Sequence, residues 1–188
     1  MNEAALNVEQ LAPGIYDLGA FDCGDEKYNH WLRESAVAAI SAGTCAVYVL
    51  VQRGPNDQPG AMGYFAISPT QVVRHELPRS LQRGAPRVVP GWLLAKLALS
   101  TELQGDRESK WGSRLLVAAL DVMVSVADSG GGKIIVVDAE HAGLLDFYAR
   151  HDFIPTGRGH LDEADLRLFM KVFTARTALG GEAAAGRD

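Results

Sequence analysis

The sequence predicts an α+β fold with a mixed, mostly antiparallel central sheet and helices on its faces. The first observation is an early pair of β-rich segments, residues 45–52 and 61–68. They are separated by residues 53–60, whose Gly, Pro, Asn and Asp are typical of a hairpin loop. The second observation is that helical and strand patterns alternate later, as at 111–128 and 133–138. A length of 188 residues with 47% hydrophobic residues is enough for one domain with a substantial core.

The first half of the chain also contains a helix and an irregular segment. Residues 25–40 have apolar side chains at helical spacing and are followed by Gly43, which predicts a helix that ends there. The second strand of the hairpin is expected to stop at Pro69. Residues 72–90 contain three prolines and four arginines, which predicts an excursion outside the core.

The second half reads as strand, helix, strand, helix and strand, at residues 91–100, 111–128, 133–138, 142–151 and 166–173. Glycines 130–132 are expected to end the long helix. The continuous β-branched run that follows is typical of a buried parallel strand. The domain is predicted to span residues 1–174, and the Ala- and Gly-rich residues 175–188 are predicted to be a disordered tail.

Several classes of protein are disfavoured by composition. No apolar run approaches the length of a membrane span, and the first residues lack the regions of a secretory signal. Cys23 and Cys45 form no CxxC pair, and the five histidines form no metal-binding motif, so neither a disulfide nor a metal is expected. Gly131-Gly132-Lys133 precedes a strand and lacks a following Ser or Thr, which indicates a turn rather than a nucleotide loop. We expect a cytoplasmic, reduced protein.

The charge is distributed unevenly along the chain. The net charge is −5, but residues 71–114 contain eight basic and four acidic side chains and are therefore +4. This segment is either a solvated loop or a surface for an anionic ligand, such as the phosphates of a cofactor or of a nucleic acid.

Two features of the sequence suggest a ligand-binding and catalytic site. Residues 107–112 lie between a predicted strand and a predicted helix, where backbone amides can hold a pyrophosphate. Arg107 and Gly112 suit such a loop, whereas Lys110 either adds a phosphate ligand or weakens the cradle. Tyr148, on the next strand–helix unit, is either a core aromatic residue or a proton donor, since a tyrosine is protonated at neutral pH.

A family resemblance rests on segments that match in order along the chain: Phe21-Asp22-Cys23-Gly24-Asp25, Asn29-His30-Trp31-Leu32-Arg33, Gly63-Tyr64-Phe65-Ala66-Ile67-Ser68, Val89-Pro90-Gly91-Trp92-Leu93-Leu94-Ala95-Lys96-Leu97-Ala98-Leu99 and Phe147-Tyr148-Ala149-Arg150-His151-Asp152-Phe153. Together with the 107–112 loop, they resemble the GNAT N-acetyltransferases. In particular, they resemble the toxins of toxin–antitoxin pairs that acetylate the α-amino group of aminoacyl-tRNA. The resemblance covers roughly residues 21–172. Lys110 and Asp152 stand where the corresponding family motifs have glycine.

The resemblance implies a GNAT fold, acetyl-CoA as co-substrate, and roles for particular residues. Tyr148 would be the catalytic acid that protonates the departing thiolate. The acetyl-CoA-binding residues would be Leu97, Ala98, Leu99, Arg107, Lys110, Trp111, Gly112, Ser113 and Arg114. The basic excursion would hold the tRNA through Arg74, Arg79, Arg83 and Arg87. A small ribbon-helix-helix antitoxin and a second copy of the chain would be protein partners.

Two alternatives remain open at the level of sequence. The same chemistry could act on a small amine or a protein N-terminus, which the acidic net charge would suit. The chain could also be a degenerate GNAT domain that serves as a CoA-binding or regulatory module.

Overall fold

The structure is a computed structural model that describes residues 6–53, 58–106, 108–155 and 166–185, with side chains up to residue 180. Its strands are β1 Leu6–Gln10, β2 Ala46–Gln52, β3 Gly60–Val73, β4 Val88–Leu99, β5 Ile134–Asp138, β6 Ile154–Pro155 and β7 Arg167–Lys171. Its helices are α1 Glu26–His30, α2 Ala36–Ser41, α3 Arg79–Gln82, α4 Thr101–Gln104, α5 Trp111–Gly130, α6 Leu145–Ala149 and α7 Val172–Ala185. A π-helical turn, Trp31–Ser35, joins α1 to α2, and 3-10 turns occur at Arg74–Glu76 and Ala142–Leu144.

The strands form one mixed sheet in the order β1-β2-β3-β4-β5-β7-β6. β4 and β5 pair in parallel. The pairs β1–β2, β2–β3, β5–β7 and β6–β7 are antiparallel. The predicted α+β class with a mixed, mostly antiparallel sheet is therefore confirmed.

Backbone contacts divide the chain into two compact units. The first comprises Met1–Ser68 and Lys96–Ala119, and the second comprises Pro69–Ala95 and Leu120–Asp188. The extent of the predicted single domain, residues 1–174, stays a prediction.

The first unit is built around β1, β2 and the first part of β3. Val47, Val49 and Val51 alternate along β2 and are fully buried, so one face of this strand faces the core, as period-two patterning requires. Leu32 and Ala36 from the helical segment pack into the same core. Helix α1 begins because the carboxylate of Asp25 accepts the N–H of Lys27 at 2.9 Å, as an N-cap does.

The second unit contains β5 and β7 with the first part of β4. Ile134 and Val136 of β5 and Phe169 of β7 lie in one buried cluster, to which Leu77 and Leu81 also belong. The excursion predicted for residues 72–90 is therefore wrong for these two leucines, because their apolar side chains cover one face of the sheet. Its ends are joined by a hydrogen bond from the N–H of Arg74 to the carbonyl of Arg87, 2.9 Å long.

Three other predictions about elements need correction. β3 does not stop at Pro69 but runs to Val73. The strand predicted to end at residue 173 ends at Lys171, and helix α7 follows over Val172–Ala185, where a disordered tail was predicted. The alanine-rich composition of that segment favours a helix, and Ala175 is buried. β1 was not predicted.

Candidate active site

Helix α5 begins directly after the loop in which the sequence predicts a pyrophosphate cradle. The amides of the first helical turn have no acceptor within the helix and lie at its positive end. The N–H of Arg114 donates to the carbonyl of Lys110 at 3.1 Å, and this bond begins the series of backbone hydrogen bonds of the helix. The amides of Trp111 and Gly112 precede it and are thus in position to bind an anion. The guanidinium of Arg114 lies 4.8 Å from the centre of the Trp111 ring.

Asp106 shapes the same loop. Its carboxylate accepts the backbone N–H groups of Glu108 at 3.1 Å and Ser109 at 3.0 Å. The hydrogen bonds from Ser109, led by its side chain, lower the pKa of Asp106, so the carboxylate is ionised at neutral pH. Asp106 is not among the site residues predicted from the sequence, although an aspartate two or three residues before such amides is typical of an Asx turn. Arg107 lies outside the described residues.

Lys110 adopts a left-handed backbone conformation, with φ of 49°. Asp152, in the turn after α6, does the same with φ of 64°. They are the two non-glycine residues with positive φ in the described part of the chain. The loop has therefore lost its glycine without losing the backbone shape that a glycine favours.

The second half of β4 has an unpaired edge. The parallel ladder joins Gly91–Leu94 of β4 to β5 and, in the part of the chain that the structure describes, goes no further. Leu97, Ala98 and Leu99 lie beyond it on the same strand. Their backbone is therefore not used by β5 and can pair with an extended ligand, as an added strand would.

Gly63 on β3 fits closely against this part of β4. A Cβ atom at Gly63 would lie 3.2 Å from the carbonyl oxygen of Ala98, 3.2 Å from Leu115 of α5 and 3.3 Å from Leu99. The first unit thus brings the end of β4 and the first turns of α5 together around a residue without a side chain.

The Phe21–Asp25 motif of the sequence ties the end of β4 in place. The side-chain amide of Gln104, in α4, donates to the carbonyls of Leu99 at 2.7 Å and Cys23 at 2.9 Å. The buried Asn29 accepts the N–H of Cys23 at 2.9 Å and donates to the carboxylate of Asp22 at 2.8 Å. This network gives the motif a positioning role beside residues 97–99.

An aromatic cluster joins the other motif residues of the first unit. The Trp31 ring stacks on the Tyr64 ring at 5.8 Å, and Phe21 meets Tyr64 edge-on at 5.4 Å. The ammonium of Lys96, the residue before Leu97, lies 4.7 Å from the Tyr28 ring and 5.0 Å from the Trp31 ring. Within the first unit, the segments that carry the family resemblance therefore pack against one another.

Tyr148 belongs to the second unit, in helix α6. Its ring is buried, with 5% of the residue exposed, between edge-on contacts with Phe147 at 5.1 Å and Phe153 at 5.6 Å. Burial raises the pKa of Tyr148 to about 12. Among the described residues its hydroxyl has no hydrogen-bond partner, and no side-chain oxygen there is both buried and unpartnered. The hydroxyl is therefore protonated at neutral pH, as a proton donor must be.

The four arginines predicted to bind tRNA also belong to the second unit, where they differ in their contacts. The guanidinium of Arg74 donates to the carbonyl of Ala85 at 3.1 Å, so it holds its own loop. Arg79, Arg83 and Arg87 are exposed. Arg83 lines a cavity.

No group of three or more His, Cys, Asp or Glu residues is placed to hold a metal ion within the described ranges. Among the same residues, no helix is long and apolar enough to cross a membrane.

The sheet, the unpaired half of β4 and the start of α5 define the fold class of the GNAT acetyltransferases. Solved structures of GNAT toxins agree with this class. AtaT complexed with acetyl-methionyl-tRNAfMet is 27% identical, with a TM-score of 0.79 over 93% of this chain and 99% of that one. A tyrosine-to-phenylalanine mutant of AtaT bound to acetyl-CoA and the C-terminus of the antitoxin AtaR is 25% identical, with a TM-score of 0.75 over 92% of this chain and 97% of that one.

Sequence comparison identifies the family. A tRNA-acetylating toxin of Mycobacterium tuberculosis is 31% identical over 166 residues, which are 87% of this chain and 91% of the relative. The chain belongs to the family of GNAT toxins that acetylate tRNA. No protein-family model matches the sequence.

Proposed function

We propose that this protein is an acetyl-CoA-dependent N-acetyltransferase toxin that acetylates the α-amino group of aminoacyl-tRNA and so blocks translation. The observation that carries the proposal is Tyr148, whose ring is buried and whose hydroxyl is protonated at neutral pH and has no hydrogen-bond partner among the described residues. Family membership supplies the substrate class.

The chemistry needs one proton donor and little else. Acetyl-CoA supplies a thioester, whose acetyl group forms a C–N bond with the amine while the C–S bond breaks. The hydroxyl of Tyr148 gives its proton to the departing thiolate sulfur and regains one from solvent, to which the attacking nitrogen releases its own proton as the amide forms. No carboxylate base is required, since an α-amino group has a pKa near ~8 and is partly neutral at pH 7.

The residues of the first unit fit acetyl-CoA. The amides of Trp111 and Gly112 are positioned for the pyrophosphate, and Lys110 adds a cation beside them. Apart from the carbonyl of Leu99, which accepts from Gln104, the backbone of residues 97–99 is not paired with β5 and can bind the amides of the pantetheine arm. Gly63 keeps that strand and α5 in contact.

The remaining partners follow from the same proposal. Arg79, Arg83 and Arg87 are exposed and can contact the phosphates of tRNA. A small ribbon-helix-helix antitoxin would neutralise the toxin, and a second copy of the chain would complete a homodimer. The protein would act in the cytoplasm, where charged tRNA is found.

Similarity to a tRNA-acetylating toxin over 87% of the chain favours an active enzyme over a degenerate module. The acidic net charge still leaves a small amine or a protein N-terminus as the alternative acceptor.

The test is transfer of radiolabelled acetyl groups from acetyl-CoA to a pool of charged tRNA. We expect label on charged tRNA and none on the same pool after deacylation, with N-acetyl amino acid released by mild base. Label on free amines or peptides, and none on charged tRNA, would reject the toxin proposal but keep the acetyltransferase. No transfer to any acceptor, with no calorimetric binding of acetyl-CoA at tens of micromolar, would reject both.

The matched variants are Tyr148→Phe and Tyr48→Phe. Removal of the Tyr148 hydroxyl should lower turnover about 100-fold, because a positioned general acid contributes on the order of 10²–10⁴. Tyr48 is a half-buried tyrosine on β2 that stacks on Phe65, and its replacement should leave turnover unchanged.

A further inference from the structure

The second unit contains a cavity of about 300 Å³ at the beginnings of β4 and β5. Its floor is aliphatic and includes Leu81, Val89 and Ile134, which are buried members of the core cluster. None of the residues proposed for catalysis or acetyl-CoA binding lines it. With the proposed tRNA surface the cavity shares one residue, Arg83.

Phe173 lies at the edge of this cavity and is 70% exposed. No other large hydrophobic residue of the described chain is as exposed; the next is Ile15 at 50%. An exposed aromatic ring beside an apolar hollow is the usual composition of an interface core, where a partner side chain covers both.

Four basic side chains line the cavity. Arg83, Lys133 and Lys171 are exposed, and they form no ion pair with any described residue. Arg176 is held by the carboxylate of Asp128. The rim is thus +3 even when Asp128 is counted, in a chain whose net charge is −5.

Hydrogen bonds within the protein hold the walls of the cavity in place without a partner. The N–H of Lys133 donates to the carbonyl of Pro90 at 2.8 Å, and its carbonyl accepts the N–H of Val172 at 3.0 Å. The indole N–H of Trp92 donates to the carbonyl of Gly131 at 3.0 Å. Because these bonds join the wall to β4 and to the start of α7, little ordering is needed on binding.

The side chains at the floor of the cavity decide between two anionic partners, a nucleic acid and an acidic peptide. A nucleotide base binds through hydrogen bonds to its edges or by stacking between planar groups. The floor offers aliphatic side chains and no polar side chain, which suits the apolar residue of a peptide. Carboxylates flanking that residue would meet the lysines and arginines of the rim.

We propose that this hollow, the 81–176 pocket, is a docking site for an acidic segment of a partner protein. One aliphatic or aromatic side chain of that segment would enter the floor beside Phe173. Its Asp or Glu residues would pair with Arg83, Lys133 and Lys171. The proposal does not depend on the acetyl-transfer activity.

The test is selection of peptides from a display library of random 12-residue sequences on the immobilised full-length protein. We expect the selected peptides to combine Asp or Glu with Leu, Ile, Val or Phe, and to bind more weakly as salt rises. Their affinity should fall at least tenfold in the Lys133→Glu, Lys171→Glu double variant and in Phe173→Ala. It should be unchanged in Arg87→Glu, which reverses a charge in the same loop as Arg83 but outside the pocket.

All these substitutions are on exposed side chains, and acetyl-CoA binding by calorimetry gives an independent check that the variants are folded. Peptides without acidic enrichment, or with equal affinity for the double variant and the wild type, would overturn the proposal. A 12-nucleotide oligouridylate that binds through Lys133 and Lys171 more tightly than the selected peptides would also overturn it, because the pocket would then belong to RNA.

Discussion

Lys110 and Asp152 share a left-handed backbone, with φ of 49° and 64°, at the two positions where the resembling motifs have glycine. One precedes helix α5 and the other follows helix α6, which carries Tyr148. In both turns the backbone has the left-handed conformation that glycine adopts most easily, although the residue is not glycine. Such a conformation costs a non-glycine residue roughly 1 kcal/mol. Substitutions at each position can therefore test whether the side chain has a function that offsets this conformational cost.

Lys110→Gly and Lys110→Ala separate backbone strain from charge. The glycine variant should be more stable to unfolding than the alanine variant by about 1 kcal/mol, because alanine retains the strain. Both should bind acetyl-CoA about two- to fivefold more weakly if the ammonium contacts a phosphate, the effect of an exposed ion pair. Urea unfolding and calorimetry measure the two effects. Wild-type affinity in the alanine variant would show that Lys110 is not a phosphate ligand.

Asp152→Gly should raise the free energy of unfolding by about 0.5–1 kcal/mol and leave turnover unchanged. The turn at Asp152 lets the N–H of Phe153 donate to the carbonyl of Tyr148 at 3.2 Å, and glycine adopts it without strain. Asp152→Ala is the control and should be the least stable of the three proteins, since aspartate tolerates this region better than alanine does. Thermal unfolding and acetyl transfer would be measured in parallel. A fall in turnover in the glycine variant would assign the carboxylate a role in the reaction.

The parts of the fold predicted from sequence are those in which local pattern and tertiary context agree. β2 is β-branched and bounded by turn residues, and α5 has a regular apolar stripe ended by glycines, so both were found. β1 contains Asn7, Glu9 and Gln10 and has little strand character of its own. It exists because it pairs in register with β2. β3 passes through Pro69 because a proline removes one N–H from a strand but does not by itself end it.

The functional residues also divide into those that belong to local sequence motifs and those that only the fold brings together. The loop, the strand before it and Tyr148 are local motifs, so the sequence places them on the correct elements. The cations of the 81–176 pocket come from three separate segments, at Arg83, at Lys133, and at Lys171 with Arg176. Their grouping is a product of the sheet order and has no local signature.

Gly91→Ala should destabilise the protein by about 3 kcal/mol or more, or prevent folding, because overpacking against backbone cannot relax by a rotamer change. A Cβ at this position would lie 2.4 Å from the carbonyl oxygen of Ile134, its partner in the parallel ladder. Gly105→Ala is the matched control, since nothing lies within 4 Å of its added Cβ and its φ is negative. Soluble yield and urea midpoints would be compared. A Gly91→Ala protein as stable as the control would contradict the close pairing of β4 with β5.

Tyr148 predicts the pH dependence of turnover. Since burial raises its pKa to about 12, the hydroxyl keeps its proton throughout the physiological range and beyond. Turnover should therefore rise as the α-amino group of the acceptor loses its proton near ~8, then stay level to about pH 10. Tyr148→Phe should keep the rising limb at about 100-fold lower turnover. A falling limb below pH 9 that disappears in this variant would mean that Tyr148 titrates far lower than its burial indicates.

The same shift of pKa predicts a change of stability in alkali. The pKa of Tyr148 is near 10 in the unfolded chain and about 12 in the folded protein, so the folded state retains the proton between these values. The contribution of this group to stability is complete below pH 10 and is lost as the pH rises through 12, by about 2–3 kcal/mol in total. Other buried tyrosines, such as Tyr64, also have raised pKa values, so the measurement is the difference between wild type and Tyr148→Phe. That difference in free energy of unfolding should be constant from pH 7 to 9 and should narrow or reverse from pH 10 upward. If it stays constant to pH 12, Tyr148 has the same pKa in both states, and its hydroxyl is as well solvated in the folded protein as in the unfolded chain.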